Sequence, residues 1–304
     1  MKKNRKKGIL VIVIVAVLLL ACIVPIARKS VKKSGTIVVA TENYAEEYIF
    51  GYFFKELIEN YTDYQVDLKE GLGGTDVCFT ALKNGEIDVY LEYTGTAYGA
   101  TLALPYEEGV DMFAKVKEQM SEKYNLSCLD TIGFNNTYCL ATSQDISEQY
   151  GITKISDLID CDTKFRFSPT FEFEEREDGM KKLENDYAGI TFSDVIPLED
   201  TLKYTSLESD ETDIVLAFST DGLLAKYNLV VLEDDKASMY PYEAFPLVRT
   251  ETLEKYPGLE EALNKLAGKI DDSEMAYLNY LVDVEQQKPE DVAHNYLKEQ
   301  GLVD

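Results

Sequence analysis

Tryptophan is absent, histidine occurs once and no CxxC pair is present in this chain of 304 residues. A single histidine, His294, excludes a histidine-based metal site and a Ser-His-Asp triad. The dinucleotide motif GxGxxG, the Walker phosphate loop and the GxSxG nucleophile motif are also missing. We therefore expect no catalytic residue, no bound metal and no cofactor, in a protein that is not an enzyme.

Positive charge is scarce along the chain. Thirty lysine and arginine residues face 55 aspartate and glutamate residues, which gives a formal net charge of −25 at pH 7. A nucleic-acid partner requires a basic surface that neutralises phosphates, so this composition argues against such a partner. An acidic surface keeps a protein soluble and also favours cationic ligands.

The leader, residues 1–35, has five basic residues followed by a long apolar run, the layout of a secretory signal. The run ends in Leu19-Leu20-Ala21-Cys22, which resembles a bacterial lipobox, so Cys22 is the predicted lipidation site. The alternative is an uncleaved membrane helix, because apolar residues continue to Ala27 over about 19 positions. Both alternatives anchor an extracytoplasmic protein to the outer face of the cell membrane.

The other cysteines show no spacing typical of a metal or redox site. We expect buried thiols, and one extracellular disulfide remains an alternative that the sequence does not pair. These four residues are Cys78, Cys128, Cys139 and Cys161.

The first half of the mature chain alternates strands and helices. "TIVVAT" predicts a strand, "AEEYIFGYFFKELIEN" a helix and "YQVDLKEGL" a second strand. A second helix is predicted to be N-capped by Thr75 and to end at Gly85, before a third strand, "IDVYLEY", of alternating polarity. This βαβαβ order predicts a parallel α/β sheet that binds ligands beyond the carboxyl ends of its strands.

The same alternation restarts after "TIGFNNTYCLATS", and three helical segments follow "AFPLVR". We predict two α/β lobes, with residues 36–132 and 243–304 in the first and residues 133–242 in the second. Two lobes joined by crossing segments form a cleft that closes by hinge motion. We expect a monomer.

Four aromatic residues stand at predicted strand ends beside small polar residues: Tyr93 in "EYTGT", Tyr138 in "NNTY", Phe218 in "AFSTDG" and Tyr242 in "YPYEAFP". A quaternary ammonium group has no N–H to donate, so the negative faces of aromatic rings bind it better than hydrogen-bond acceptors do. If the four rings face one point, they form a cage for an N-methylated cation. The alternative role of each ring is core packing.

Polar residues beside these rings are weaker candidates for ligand contacts. They are Asn136, Thr137, Ser219, Thr220 and Asp221. Asp221 has an equally plausible alternative role as the N-cap of the next helix. Carboxylate pairs such as Glu46-Glu47 are expected by chance in so acidic a chain.

An ordered series of motifs extends from about residue 36 to residue 303: "GGTDV", "GEIDVYLEYTGT", "GFNNTY", "AFSTDG", "LVVLEDD", "AFPLVR" and "LNYLVDVE". The series resembles the substrate-binding proteins of ABC importers for glycine betaine, choline, carnitine and related osmoprotectants. The resemblance implies a periplasmic-binding-protein-like (type II) fold, a ligand cleft between two lobes, and permease and ATPase partners. It also implies a cage of Tyr93, Tyr138, Phe218 and Tyr242, with Thr96 as a polar ligand contact.

One departure from the family pattern bears on the ligand. Relatives commonly read like "FTEQYI" where this chain has "NYAEEYI", so Glu47 replaces a glutamine expected to donate to a ligand carboxylate. An ionised Glu47 would repel glycine betaine and accept from a hydroxyl, which favours choline. This inference requires that Glu47 is charged and faces the ligand.

Several alternatives remain open at this stage. Glycine betaine, carnitine and ergothioneine are the other candidate ligands in the same fold. A sensory or adhesive surface domain could keep the fold without transport, and an enzyme could use the two-lobe scaffold.

Overall fold

The computed structural model describes residues 35–107, 109–176, 179–198 and 200–304. Most of the leader, with Cys22, lies outside the described residues, so the lipidation and anchor predictions stay predictions. Within the described ranges, no helix combines the length and apolar character needed to cross a bilayer.

The described strands form two five-stranded sheets. They are β1 (Thr36–Ala40), β2 (Gln65–Lys69), β3 (Val89–Tyr93), β4 (Leu126–Cys128), β5 (Tyr138–Ser143), β6 (Arg166–Ser168), β7 (Asp194–Val195), β8 (Ile214–Phe218), β9 (Leu229–Leu232) and β10 (Ala244–Arg249). The strand order is β2-β1-β3-β10-β4 in the first sheet and β7-β6-β8-β5-β9 in the second.

Helices connect these strands in the order that the periodicity predicted. They are α1 (Ala45–Tyr61), α2 (Thr75–Asn84), α3 (Met112–Tyr124), α4 (Gln144–Tyr150), α5 (Asp157–Asp160), α6 (Phe171–Glu175), α7 (Met180–Asp186), α8 (Asp200–Glu208), α9 (Gly222–Lys226), α10 (Thr250–Lys255), α11 (Leu259–Leu263), α12 (Asp272–Asp283) and α13 (Pro289–Glu299), with a π-helical turn at Thr96–Thr101. The mixed α/β class predicted from the sequence is confirmed.

The first sheet is not entirely parallel, which corrects the prediction. Strands β2, β1 and β3 are parallel, whereas β10 lies antiparallel between β3 and β4. Strand β10 follows the second sheet in the chain, and it enters the first sheet in the direction opposite to β3. The βαβαβ pattern covers only the first three strands of the chain, so it could not predict how β10 would join the sheet.

Strand β3 is buried on both faces, although its sequence alternates in polarity. Val89, Leu91 and Tyr93 pack in one apolar cluster and Tyr90 in another, because β3 lies in the middle of the sheet. Glu92 therefore becomes a fully buried carboxyl group. The alternating polarity of this strand therefore does not mark a solvent-exposed face.

Helix α1 carries the largest apolar face of the first-sheet unit. Phe50 lies 5.2 Å from Phe53 and 5.7 Å from Phe134, measured between ring centroids. The C-terminal helix α13 packs against the same surface, where Tyr296 lies 5.5 Å from Phe53. The amino end of α1, which carries Glu46 and Glu47, is thereby held against the carboxyl ends of the strands.

The ends of α2 test two capping predictions. Gly85 follows the helix in the left-handed conformation, with φ 74°, as predicted. The N-cap residue is Gly74 and not Thr75, which is the first helical residue. The Thr75 hydroxyl instead donates to the Glu42 carboxylate at 2.8 Å.

All four cysteines of the described chain are free thiols. Cys78, Cys128 and Cys139 are buried and Cys161 is half-buried. Burial raises the pKa of each of the three buried thiols to about 12, so they stay protonated and unreactive.

Two crossing segments, residues 129–137 and 233–243, connect the two sheets. They pair with each other through a β-bridge between Asn135 and Glu243. The Thr137 hydroxyl also donates to the Tyr240 carbonyl at 2.6 Å. Tyr138 and Tyr242 stand at the ends of these segments, so the crossing point places both rings between the sheets.

Candidate functional site

Three of the four predicted rings lie together. Tyr138 lies 5.1 Å from Phe218 and 5.8 Å from Tyr242, measured between ring centroids. Tyr138 and Phe218 are directly paired across β5 and β8, so the sheet register brings these two rings to one face. Tyr138 and Tyr242 are buried and Phe218 is half-buried, and Tyr138 contacts both of the other rings.

Phe173 is a fourth ring in this group that the sequence analysis missed. Its centroid lies 5.1 Å from that of Tyr138 in a T-shaped arrangement. Phe173 is on α6, directly after strand β6, and its side chain is fully buried. The carboxyl end of a parallel strand is the signal that could have identified it, as it did Tyr93.

Phe218 also contacts a cation that belongs to the protein. The buried ammonium of Lys203 lies 5.4 Å from the Phe218 ring centroid. One face of this ring is therefore engaged by a lysine, and the other is turned towards Tyr138.

Tyr242 is held by contacts from both sides. The Arg176 guanidinium donates to the Tyr242 hydroxyl at 3.0 Å. On the other side, a Cβ added to Gly95 would lie 2.7 Å from carbons of the Tyr242 ring. The glycine of "TGT" therefore allows the ring to lie against the backbone, a role that the sequence analysis did not assign.

Replacing Gly95 by alanine should destabilise the protein by about 2 kcal/mol, because the methyl group must displace the Tyr242 ring in a packed site. Urea unfolding measures this free energy. Gly99→Ala is the matched control in the π-helical turn that follows Gly95, because a Cβ there meets no atom within 4 Å. Equal stability of the two variants would contradict the expectation.

Tyr93, the fourth predicted ring, is placed differently. Within the described part of the chain it makes no ring-to-ring contact with the other three. Its hydroxyl instead donates to Glu46 Oε1 at 2.6 Å. Tyr93 is thus linked to the ring group through a carboxylate.

Glu46 is the polar centre of the site, and the sequence analysis dismissed it as a chance acidic residue. Four groups donate to its carboxylate: the Tyr93 hydroxyl and the Asn136 amide to Oε1, and the Thr220 hydroxyl and the Asn279 amide to Oε2. The distances are 2.6, 2.9, 2.8 and 2.8 Å. Burial raises the pKa of Glu46, and these four hydrogen bonds lower it.

Glu47 does not have the role that the choline argument required. The side chain is fully buried, and its Oε2 accepts from the backbone N–H of Glu42 at 3.1 Å. Burial, followed by the negative charge of Glu42, raises the pKa of Glu47 well above its ordinary value. Burial favours the neutral form of Glu47, and its Oε2 is engaged by the Glu42 backbone, so the structure does not support the charged, ligand-facing group that the choline argument required.

Two further carboxyl groups are buried near Glu46 and Glu47. Burial raises the pKa of Glu42 to about 7, and it raises the pKa of Glu92 to about 8. Glu92 accepts from the Tyr90 hydroxyl at 2.7 Å and from the Tyr93 backbone N–H at 2.8 Å. Within the described residues no group of three or more metal-ligating side chains is placed to hold a metal ion.

The remaining polar candidates mostly support the backbone. The Ser219 hydroxyl donates to the Asn135 carbonyl at 2.5 Å and accepts from the Thr137 N–H at 3.0 Å. Asp221 caps α9 by accepting from the Leu223 N–H, and it also contacts the Tyr204 hydroxyl. Capping is thus the role that the structure shows for Asp221. Thr96 is half-buried and begins the π-helical turn.

A cavity of about 580 Å³ lies between α9 and α12. Ser219, Asp221, Tyr277 and Tyr280 are among its lining residues, and none of the five aromatic residues described above is. Tyr138 contacts Phe173, Phe218 and Tyr242, so the rings are packed around it. A ligand can enter between them only if the rings separate.

Comparison with known proteins identifies the family. The substrate-binding domain of ABC-type glycine betaine transport systems matches residues 35–299. The ergothioneine transport permease/ergothioneine binding protein of Helicobacter pylori is 36% identical over 94% of this chain, which spans about half (51%) of that protein. The carnitine transport binding protein of Listeria monocytogenes is 34% identical over 85% of each chain.

A solved structure described as a glycine betaine/carnitine/choline ABC transporter is 28% identical, with a TM-score of 0.81 over 88% of this chain and 99% of that one. Members of the matched family are extracytoplasmic solute-binding proteins and not enzymes, which confirms the family resemblance and the expectation of no catalysis. The chain therefore belongs to the family of substrate-binding domains of ABC-type glycine betaine transport systems, as the solute-binding component of such a transporter.

Proposed function

We propose that this protein binds a quaternary ammonium compound in an aromatic cage of Tyr138, Phe218, Tyr242 and Tyr93, with Phe173 behind Tyr138. The observation that carries the proposal is the meeting of three rings from β5, β8 and the crossing segment before β10. A methylated ammonium group spreads its charge over its methyl surface, which fits ring faces better than a hydrogen-bonding pocket.

Ligand entry requires a hinge motion in this proposal. We place residues 36–132 and 243–304 in one lobe and residues 133–242 in the other, a division that the two separate sheets support. Tyr93 and Glu46 belong to the first lobe, whereas Tyr138 and Phe218 belong to the second. A ligand that contacts both lobes stabilises the closed state, which the permease can then distinguish from the open one.

The structure favours a betaine over choline as the ligand. The preference for choline depended on a charged Glu47, and burial raises the pKa of that group, which favours its neutral form. The Arg176 guanidinium lies at the Tyr242 hydroxyl, where it could pair with a ligand carboxylate. Two relatives at 36% and 34% identity are named for ergothioneine and carnitine, and both of those compounds carry a carboxylate. Choline binding stays a prediction.

Calorimetric titration of the purified protein with choline, glycine betaine, carnitine and ergothioneine tests this function. We expect at least one betaine to bind more tightly than choline, and we expect free glycine and lysine not to bind. Tyr277→Ala is a suitable control, because this tyrosine is 60% exposed and lies outside the ring group. Failure of all four compounds to bind would refute the proposal.

Attachment to the outer face of the membrane is also proposed, through the leader. Mass spectrometry of the native amino terminus distinguishes a lipidated Cys22 from an uncleaved helix. A protein that retains residues 1–21 would exclude lipidation at Cys22.

A further inference from the structure

The carboxylate of Glu46 joins four separate segments of the chain. Its donors come from the end of β3 (Tyr93), the first crossing segment (Asn136), the turn after β8 (Thr220) and helix α12 (Asn279). Two of these segments belong to the first sheet unit and two lie on the other side of the proposed cleft. The group is 2% exposed, and burial raises its pKa. All four neighbours donate hydrogen bonds to its oxygens, however, which favours the ionised carboxylate.

The described residues include no ion-pair partner for this carboxylate. Among the lysine and arginine side chains that the structure describes, none lies within 4.0 Å of Glu46. The titratable groups that face it are Tyr93, Tyr44, Glu47 and Asp283, and none of them is cationic. Hydrogen bonds stabilise a buried carboxylate only in part, and a nearby positive charge stabilises it further.

Through its hydrogen bond with Tyr93, the Glu46 carboxylate acts electrostatically on a ring of the proposed cage. The phenol hydroxyl donates to Glu46, which leaves the aromatic ring more electron-rich on its faces. The same contact fixes the position of the ring beside the cleft. A cation on the ring face is then attracted both by the ring and by the carboxylate at its far end.

We propose that Glu46 is a positioning residue that holds Tyr93 and makes the site select a positively charged ligand over a neutral one of the same shape. The inference rests on the proposed function, because it concerns the charge of the ligand that the rings bind. The hydrogen bonds from Asn136, Thr220 and Asn279 would hold the Glu46 side chain in place, but they would not give the site a preference for a positively charged group.

The test compares each quaternary ammonium compound with its carbon analogue, which lacks the positive charge. The probes are choline with 3,3-dimethylbutan-1-ol and glycine betaine with 3,3-dimethylbutanoate. Within each pair a carbon atom replaces the ammonium nitrogen, so shape and the rest of the molecule are retained. Glu46→Gln is expected to lower the preference for the cation by about tenfold or more at neutral pH, measured by calorimetry.

A purely structural role would weaken both members of a pair equally and would leave their ratio unchanged. Glu118→Gln is the matched control, because it removes one negative charge at an exposed site on α3 and should not alter the ratio. Tyr93→Phe is the second variant. It keeps the ring and removes only the hydroxyl, and it should lower the ratio partially.

A double-mutant cycle between Glu46→Gln and Tyr93→Phe uses whichever of the four titrated quaternary ammonium compounds binds most tightly. The double variant should lose no more affinity than the weaker-binding single variant, because both changes break one interaction. Additive losses, or an unchanged ratio in a Glu46→Gln protein that still binds, would overturn this inference and leave the proposed function standing. If the wild-type protein binds none of the cations, the proposed function fails and this inference fails with it.

Discussion

Replacing Tyr138 with alanine should weaken the binding of a quaternary ammonium ligand by about 2 kcal/mol, or about thirtyfold in Kd. Tyr138 is the ring at which the group meets, since it contacts Phe173, Phe218 and Tyr242. Its removal deletes one ring face and leaves the neighbouring rings without their packing partner. Calorimetric titration of the variant measures the loss.

Two companion variants separate recognition from stability. Tyr138→Phe keeps the ring and should retain most of the affinity, whereas Tyr277→Ala removes an exposed tyrosine and should have no effect. Because Tyr138 is largely buried, its truncation should also lower the free energy of unfolding by about 3 kcal/mol. Titration must therefore be carried out well below the melting temperature of the variant. Wild-type affinity in a folded Tyr138→Ala protein would remove this residue from the cage.

The second large effect concerns pH. The free energy of unfolding should fall by several kcal/mol as pH rises from about 5 to about 9. Burial raises the pKa of Glu42 from 4.5 to about 7 and that of Glu92 from 4.5 to about 8. The folded protein therefore retains protons in this range that the unfolded chain has already lost. Stability from these groups is complete below pH 4.5 and is lost as pH rises through their folded pKa values.

Urea unfolding across this pH range measures the effect. The net charge of −25 also destabilises the folded state as pH rises, so a variant must isolate the buried groups. Glu92→Gln is neutral at every pH and should flatten the dependence between about pH 5 and pH 8. Glu118→Gln, on the exposed face of α3, should leave the slope unchanged. A stability that is constant or rises with pH would contradict the pKa assignments.

Local patterns of sequence predicted the elements of the fold because each pattern is set by neighbouring residues. Apolar periodicity identified α1, and the β-branched run identified β1, since both signals depend on which face of an element is buried. The antiparallel insertion of β10 was not predicted, because strand pairing depends on how distant segments meet. The burial of Glu92 follows from that insertion and was missed for the same reason.

The residues of the candidate site also fall into those that local sequence patterns predicted and those that depend on contacts between distant segments. The position of Tyr138, Phe218 and Tyr242 at or beside strand ends, next to small polar residues, singled them out as candidates. The antiparallel pairing of β5 with β8 then places Tyr138 directly opposite Phe218. Glu46 was missed, since its importance comes from partners up to 233 positions away in the chain. The role assigned to Glu47 from the sequence depended on a charge, and burial in the tertiary structure decides that charge.

The sequence by itself determined the α/β class, the family, the acidic surface and the ring residues that stand at strand ends. Only the tertiary structure decided which carboxyl groups are buried with raised pKa values, which ring is separated from the others, and that Glu46 accepts hydrogen bonds from four separate segments of the chain. The physical reason is that periodicity and turn chemistry act between near neighbours. Desolvation and hydrogen-bond convergence arise only when distant segments pack together.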